Sequence, residues 1–310
     1  MRDYKFEKKE DFYLIRGKNG FAGLMEKLDE ILSDGTETVS SKKRRSSKKK
    51  DSMSIFYSNS VIFICGGIYL GTKSEEYYSE MFSRLDAIGD RLDIDFIIVR
   101  ANGDNPSWFN GEKIHTKHVI AVEDYSTVTI KNHKALCVGG AVSCDRSWRK
   151  KHQPESYFEG ETPIKSDEMT DLSDVDTIIS CAIPSFVNSR DNLNGTWVEN
   201  DDKLNADTLL ERNVMDNIYV KLTDGKPRLW GYTKYTQGST SKYNNITFVT
   251  AGKLNISRVT PVTISPPDIS SLSRYASTII SDRVADELGN HNERVQQIVF
   301  EEPMMPYGRF

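Results

Sequence analysis

The stretch Val61-Ile62-Phe63-Ile64-Cys65-Gly66-Gly67 runs five apolar residues straight into a glycine pair. A strand wetted on one face alternates apolar and polar side chains, whereas an unbroken apolar run needs cover on both faces of its sheet. The two glycines mark a sharp turn at the strand's carboxyl end. Working outward, the same grammar recurs. Phe12-Tyr13-Leu14-Ile15 is strand-like and precedes a turn at Gly17–Gly20. Phe21, Leu24, Met25, Leu28, Ile31 and Leu32 then follow helical spacing and stop before Asp34-Gly35. Tyr78, Met81, Phe82, Leu85 and Ile88 mark a second helix, followed by the strand Phe96-Ile97-Ile98-Val99. Further strands are expected at 127–130, 135–138, 177–180, 228–230 and 246–249, with a helix over about 205–220. Strand–helix alternation early and extra strands late predict an α/β fold, a two-sheet β-sandwich flanked by helices.

Composition bounds the rest. A chain of 310 residues can bury a large core, and 37% hydrophobic content with a mean hydropathy of −0.53 reads as soluble and rather polar. No apolar run approaches the roughly 18 residues that a membrane span needs. Met1–Glu10 has no apolar stretch of the secretory kind, so a cytoplasmic setting is expected. Cys65, Cys137, Cys144 and Cys181 form no CxxC pair, and three of them end or interrupt apolar runs. That pattern predicts reduced, buried thiols, and it gives the sequon at Asn194 little meaning.

Five segments follow predicted strands: Ile15-Arg16-Gly17-Lys18-Asn19-Gly20, Cys65-Gly66-Gly67, Ala101-Asn102-Gly103-Asp104, Ile179-Ser180-Cys181 and Gly231-Tyr232-Thr233-Lys234. A sixth, Gly139-Gly140-Ala141-Val142-Ser143-Cys144-Asp145-Arg146-Ser147-Trp148-Arg149, is followed later by Ala182-Ile183-Pro184-Ser185-Phe186. In order and setting these resemble the signature blocks of the calcineurin-like metallophosphoesterases: Asp-x-His-Gly, Gly-Asp, Gly-Asn-His-Asp, a lone His and Gly-His-x-His. The sixth segment is similar to a Gly-Gly-Ala-x-Ser-x-Asp-Arg-x-x-Arg stretch of one branch, nearly intact. The resemblance spans residues 11–260 and implies that family's two-sheet sandwich with an active site at the carboxyl ends of the strands.

The same resemblance implies that the chemistry has gone. The Asp and His of the first block stand as Gly17 and Asn19, and the bridging Asp as Gly67. The general-acid His stands as Gly103, the lone His as Cys181, and the final pair as Tyr232 and Lys234. Of the expected ligands only Asn102 remains, and it is neutral. Two divalent cations about 3.5–4 Å apart repel strongly and need carboxylates and imidazoles to hold them. No metal, no cofactor and no catalytic residue are therefore expected.

Other charged clusters carry less. Lys42, Lys43, Arg44, Arg45, Lys48, Lys49 and Lys50 place about +7 in a serine-punctuated insertion (36–54) and, against a chain total of −4, leave the remainder near −11. This run reads equally as a non-specific grip on nucleic acid or another polyanion and as a solvated surface loop. His115, His118 and His133 near Asp104 offer zinc-type donors, but irregular spacing in a charged segment favours ordinary surface histidines. Asp145, Arg146 and Arg149 read first as structural ion pairs pinning the loop after Gly139-Gly140.

Past residue 260 the family pattern ends. Ser265-Pro266-Pro267 precedes a helix running to about Leu288, with an apolar stripe through Ile269, Leu272, Ile279 and Val284. A strand-like Val295–Phe300 and an arm ending Met304-Met305-Pro306-Tyr307-Gly308-Arg309-Phe310 complete the chain. The expected domains are thus 1–260, which the resemblance implies is a degenerate phosphoesterase domain, and 261–310, a helix plus arm suited to docking on another subunit. The composition suits an AT-rich bacterial or bacteriophage genome. The expected role is an inactive assembly subunit, in a virion or tail, partnered by other protein subunits in the host cytoplasm and then the particle. A residual single-metal phosphoesterase and a regulatory phosphate-ligand binder are the competing readings.

Overall fold

A computed structural model describes residues 2–17, 20–32, 57–110, 113–114, 116–164, 171–187, 201–234, 240–251 and 256–261. All belong to one unit spanning Met1–Pro261. Lys18, Asn19, the basic run 42–50, His115, Asn194 and the whole of 262–310 lie outside the described residues.

Two sheets are built from short strands. The five-stranded sheet uses β2 (Asp11–Ile15), β3 (Ser60–Cys65), β4 (Ile94–Val99), β5 (Val119–Ala121) and β12 (Ser257–Arg258), in the order β12-β2-β3-β4-β5. The seven-stranded sheet uses β1 (Asp3–Lys5), β6 (Thr127–Ile130), β7 (His133–Val138), β8 (Thr177–Ser180), β9 (Arg228–Tyr232), β10 (Thr240–Tyr243) and β11 (Ile246–Thr250), in the order β1-β6-β7-β8-β9-β11-β10. Both sheets are mixed. β2, β3, β4 and β5 run parallel with β12 antiparallel, while β7, β8, β9 and β11 run parallel with antiparallel neighbours β6 and β10. Four helices accompany them among the described residues: α1 (Gly20–Leu32), α2 (Glu75–Leu92), α3 (Arg146–His152) and α4 (Leu204–Lys221).

The unbroken apolar run of β3 is explained by its position. Val61, Phe63 and Cys65 join a core shared with Val128, Leu136, Ile178 and Trp230 of the other sheet. Ile62 and Ile64 face the opposite way, into a second core with Phe21, Leu24 and Met25 of α1 and Tyr78, Phe82 and Leu85 of α2. Alternate residues of one strand thus enter separate cores, and each buried aliphatic or aromatic side chain contributes about 1.5–3 kcal/mol. Ser74 caps α2, accepting a hydrogen bond from Tyr77 N–H, and Asp93 ends it in the left-handed conformation at φ 55°.

Register then sets the functional geography. Ile15 pairs with Ile64, and Cys65 with Val99, so β2, β3 and β4 end level. In the facing sheet Ser180 pairs with Tyr232, so Cys181 and Thr233 emerge side by side. The edge strands β1, β5, β10 and β12 and the helix α3 were not anticipated from sequence; the expected strands that fall on described residues lie within a few residues of their observed bounds, and the one at 295–300 lies outside them.

Candidate functional site at the strand ends

The loops after β2, β3, β4, β8 and β9 meet. Gly17 N–H donates to Gly66 O at 2.9 Å, and Lys234 N–H donates to Cys181 O at 3.0 Å. The first contact requires glycine: a methyl on Gly67 (φ 76°) would lie 2.1 Å from Gly17 O. A methyl on Gly66 would meet Ala101 Cβ at 3.3 Å, Thr233 Oγ1 at 3.4 Å and Cys181 Sγ at 3.9 Å. Groups from β3, β4, β8 and β9 are therefore packed against one another. The Tyr69 ring covers Gly103, coming within 2.9 Å of where a side chain would start.

At the centre is Cys181. Its S–H donates to Asn102 Oδ1 at 3.4 Å, and it shares the inter-sheet core with Cys65. Cys65, Cys181 and Thr233 are all fully enclosed. Thr233 Oγ1 finds no oxygen or nitrogen partner and lies beside the sulfurs. Arg16 brings a guanidinium to the same place, with Nη1 sealed from solvent and unpartnered among the described residues. Burial drives the Cys65 thiol well up. Cys181 is lowered to about 6: the Cys65 thiol hydrogen-bonds to its thiolate against the penalty of burial, helped by Asn102 N–H, Arg16 and Thr233.

Two buried acids complete the surroundings. Asp104 accepts from Leu70 N–H at 2.8 Å and Ala101 N–H at 2.9 Å, tying the loop after β4 to the loop after β3. Enclosure raises its carboxyl to about 7, against the lowering by those two donors. Glu211 of α4 accepts from Val142 N–H and pairs with Lys234 Nζ. Lys234 is therefore a partner of Glu211 rather than a free cation, and Tyr232 is packed into the inter-sheet core.

The fit to two divalent cations is poor. Gly17, Gly67 and Gly103 offer no side chain, Tyr232 is core, and Lys234 and Arg16 bring positive charge. Among the described residues no three His, Cys, Asp or Glu side chains converge to hold an ion. The histidines are engaged elsewhere: His118 with Asp95 (2.8 Å) and Asp90 (3.0 Å), His133 with Asp176 (2.9 Å).

The Gly139–Arg149 segment is a braced corner. Arg100 pairs with Asp124 at 2.6 Å beneath it, and a methyl on Gly139 would strike Asp124 Oδ1 at 1.7 Å. Arg149 joins Asp145 at 3.2 Å and Glu161 at 2.6 Å, while Arg146 reaches Asp201 and Asp207, each at 2.6 Å. Asp145, Arg146 and Arg149 are thus engaged in ion pairs, as the structural reading of that stretch expects.

Sequence reasoning placed Asn102, Cys181, Tyr232 and Lys234 at one locus but assigned nothing to Arg16, Cys65 or Thr233. The signal was available, since each lies inside or beside a quoted block. No protein-family model matches the chain, and no curated protein matches it. No helix among the described residues is long and apolar enough to cross a membrane.

Proposed function

We propose that this chain is a calcineurin-like phosphoesterase sandwich that has lost its dinuclear centre and is retained as a structural subunit, in a phage virion or tail assembly. The observation that carries the reading is the composition of the strand-end site. Loops in the family's order converge there, yet they present glycines, thiols, an amide and two cations where anionic and imidazole ligands would be needed. Such a site polarises no phosphoryl oxygen and generates no metal-bound hydroxide. Retention of the folded core without that chemistry favours work done by surfaces. Phe186 and Tyr243, both more than a third exposed, stack edge-on at 5.1 Å beside the edge strand β10, and Val220 of α4 is 66% exposed. An aromatic patch at a strand that is the sheet's edge among the described residues suits a protein partner. Phosphomonoester and phosphodiester hydrolysis, assayed on the purified chain with Mn²⁺, Ni²⁺ or Zn²⁺, should not exceed the buffer rate. Turnover abolished by Asn102→Ala would refute the proposal.

A further inference from the structure

Helix α3 turns its two arginines inward and leaves its other cations outside. Arg149 is buried against Asp145 and Glu161, and Arg146 is closed on Asp201 and Asp207. Lys150, Lys151 and His152 are exposed, and neither lysine has a carboxylate partner among the described residues. Beside them stands Trp148, 45% exposed, whereas Trp108 and Trp230 are buried. Trp148, Lys151 and His152 occupy positions i, i+3 and i+4, so they share one side of the helix. The His152 ring lies nearly parallel to the Trp148 indole, at 26° with centroids 5.1 Å apart. His152 Nδ1–H donates to Trp148 O at 3.0 Å, which holds the imidazole in that stack. On the flank, Lys150 Nζ lies 5.1 Å from the centroid of the Tyr157 ring. An indole left in water contributes little to the fold. Backed by a fixed imidazole and bracketed by unpaired ammonium groups, it combines a surface for a base with charge for the phosphates beside that base.

We infer that this face of α3 binds single-stranded nucleic acid, with one base stacked on Trp148 and neighbouring phosphates on Lys150 and Lys151. A duplex keeps its bases stacked on one another and offers the indole nothing, so the face selects an unpaired strand. An acidic polypeptide would satisfy the lysines and leave the indole idle. Binding is independent of base sequence, since every base has a π-face and the lysines meet only the backbone. It is also independent of whether the strand-end site holds metal.

The test is fluorescence anisotropy of the full-length chain with two labelled strands of equal length, oligodeoxythymidine and its abasic counterpart. Both carry the same charge, so cations elsewhere, the run 42–50 included, attract them equally. The wild-type chain should bind oligodeoxythymidine about tenfold more tightly, within the range of one base stacked on an aromatic ring. Trp148→Ala should erase that preference and leave the affinity for the abasic strand unchanged, and Trp148→Phe should keep most of it. Lys150→Gln combined with Lys151→Gln should weaken both strands and lower the salt slope by about 1.4, the share of two phosphates on a single strand. No binding, or equal affinity for the two strands in the wild-type chain, would overturn the inference, as would a preference that survives Trp148→Ala. So would polyglutamate that displaces the labelled strand as well as unlabelled oligodeoxythymidine does, since that would assign the face to an acidic protein. The wild-type comparison of the two strands relies on no variant to fold.

Discussion

Replacing Asp104 with Asn isolates the cost of a carboxylate held inside the strand-end site. The group is fully enclosed, and burial raises its carboxyl from the ordinary 3.8 to about 7. Between those values the folded chain holds a proton that the unfolded chain has released, so stability falls as pH rises. Each unit of that window is worth about 1.4 kcal/mol, so Asp104 costs about 4 kcal/mol by the time pH passes 7. Asparagine has no such term. It does turn one oxygen, which accepts from Leu70 or Ala101 N–H, into a donor facing a donor, at about 1–3 kcal/mol independent of pH. The variant should therefore be less stable than wild type near pH 4 and should gain several kcal/mol on it by pH 8. Urea unfolding of both proteins at half-unit steps gives the difference directly, and the contributions of all other groups cancel. A stability difference that stays flat from pH 4 to 8 would refute the reasoning.

Three further outcomes are expected. Arg149→Met should destabilise the fold by about 3–5 kcal/mol in chemical denaturation, because it strands the Glu161 carboxylate in an enclosed site; pairing it with Glu161→Leu should recover most of the loss. If the seven cations of 42–50 grip a polyanion, binding to DNA of any sequence should fall steeply with salt and vanish when they become Ser and Gly, with an unchanged melting temperature. Deleting 290–310 should shift the mass seen by light scattering more than the urea midpoint; a chain that is monomeric throughout and unfolds on truncation would show that the segment serves its own fold.

The interior of the fold was legible and its margins were not. β3 and β4 announce themselves because both faces are buried, which forces unbroken apolar runs. The four strands that escaped notice, β1, β5, β10 and β12, are the four sheet edges. An edge strand of two to four residues is paired on one side only and imposes no pattern on its sequence. Helix α3, Arg-Ser-Trp-Arg-Lys-Lys-His, has no apolar stripe to read; Arg149 fastens it instead, through Asp145 and Glu161. At the site, the ordered blocks pointed to Asn102 and Cys181, which come from different sheets and meet at 3.4 Å. They could not reveal that Arg16 Nη1 is enclosed beside them, since what surrounds a side chain at the meeting of two sheets depends on how one sheet packs over the other, a long-range fact absent from any local spacing.

The central claim is that the strand-end site does not hold a dinuclear metal centre. Its most direct test is elemental analysis of the full-length chain after equilibration with excess Mn²⁺ and Zn²⁺ and removal of free ions, read beside the melting temperature with and without metal. The account predicts metal far below one equivalent and an unmoved melting temperature, since an ion that bound only the folded state would raise it. Metal near two equivalents per chain, lost on Asn102→Ala, would contradict it.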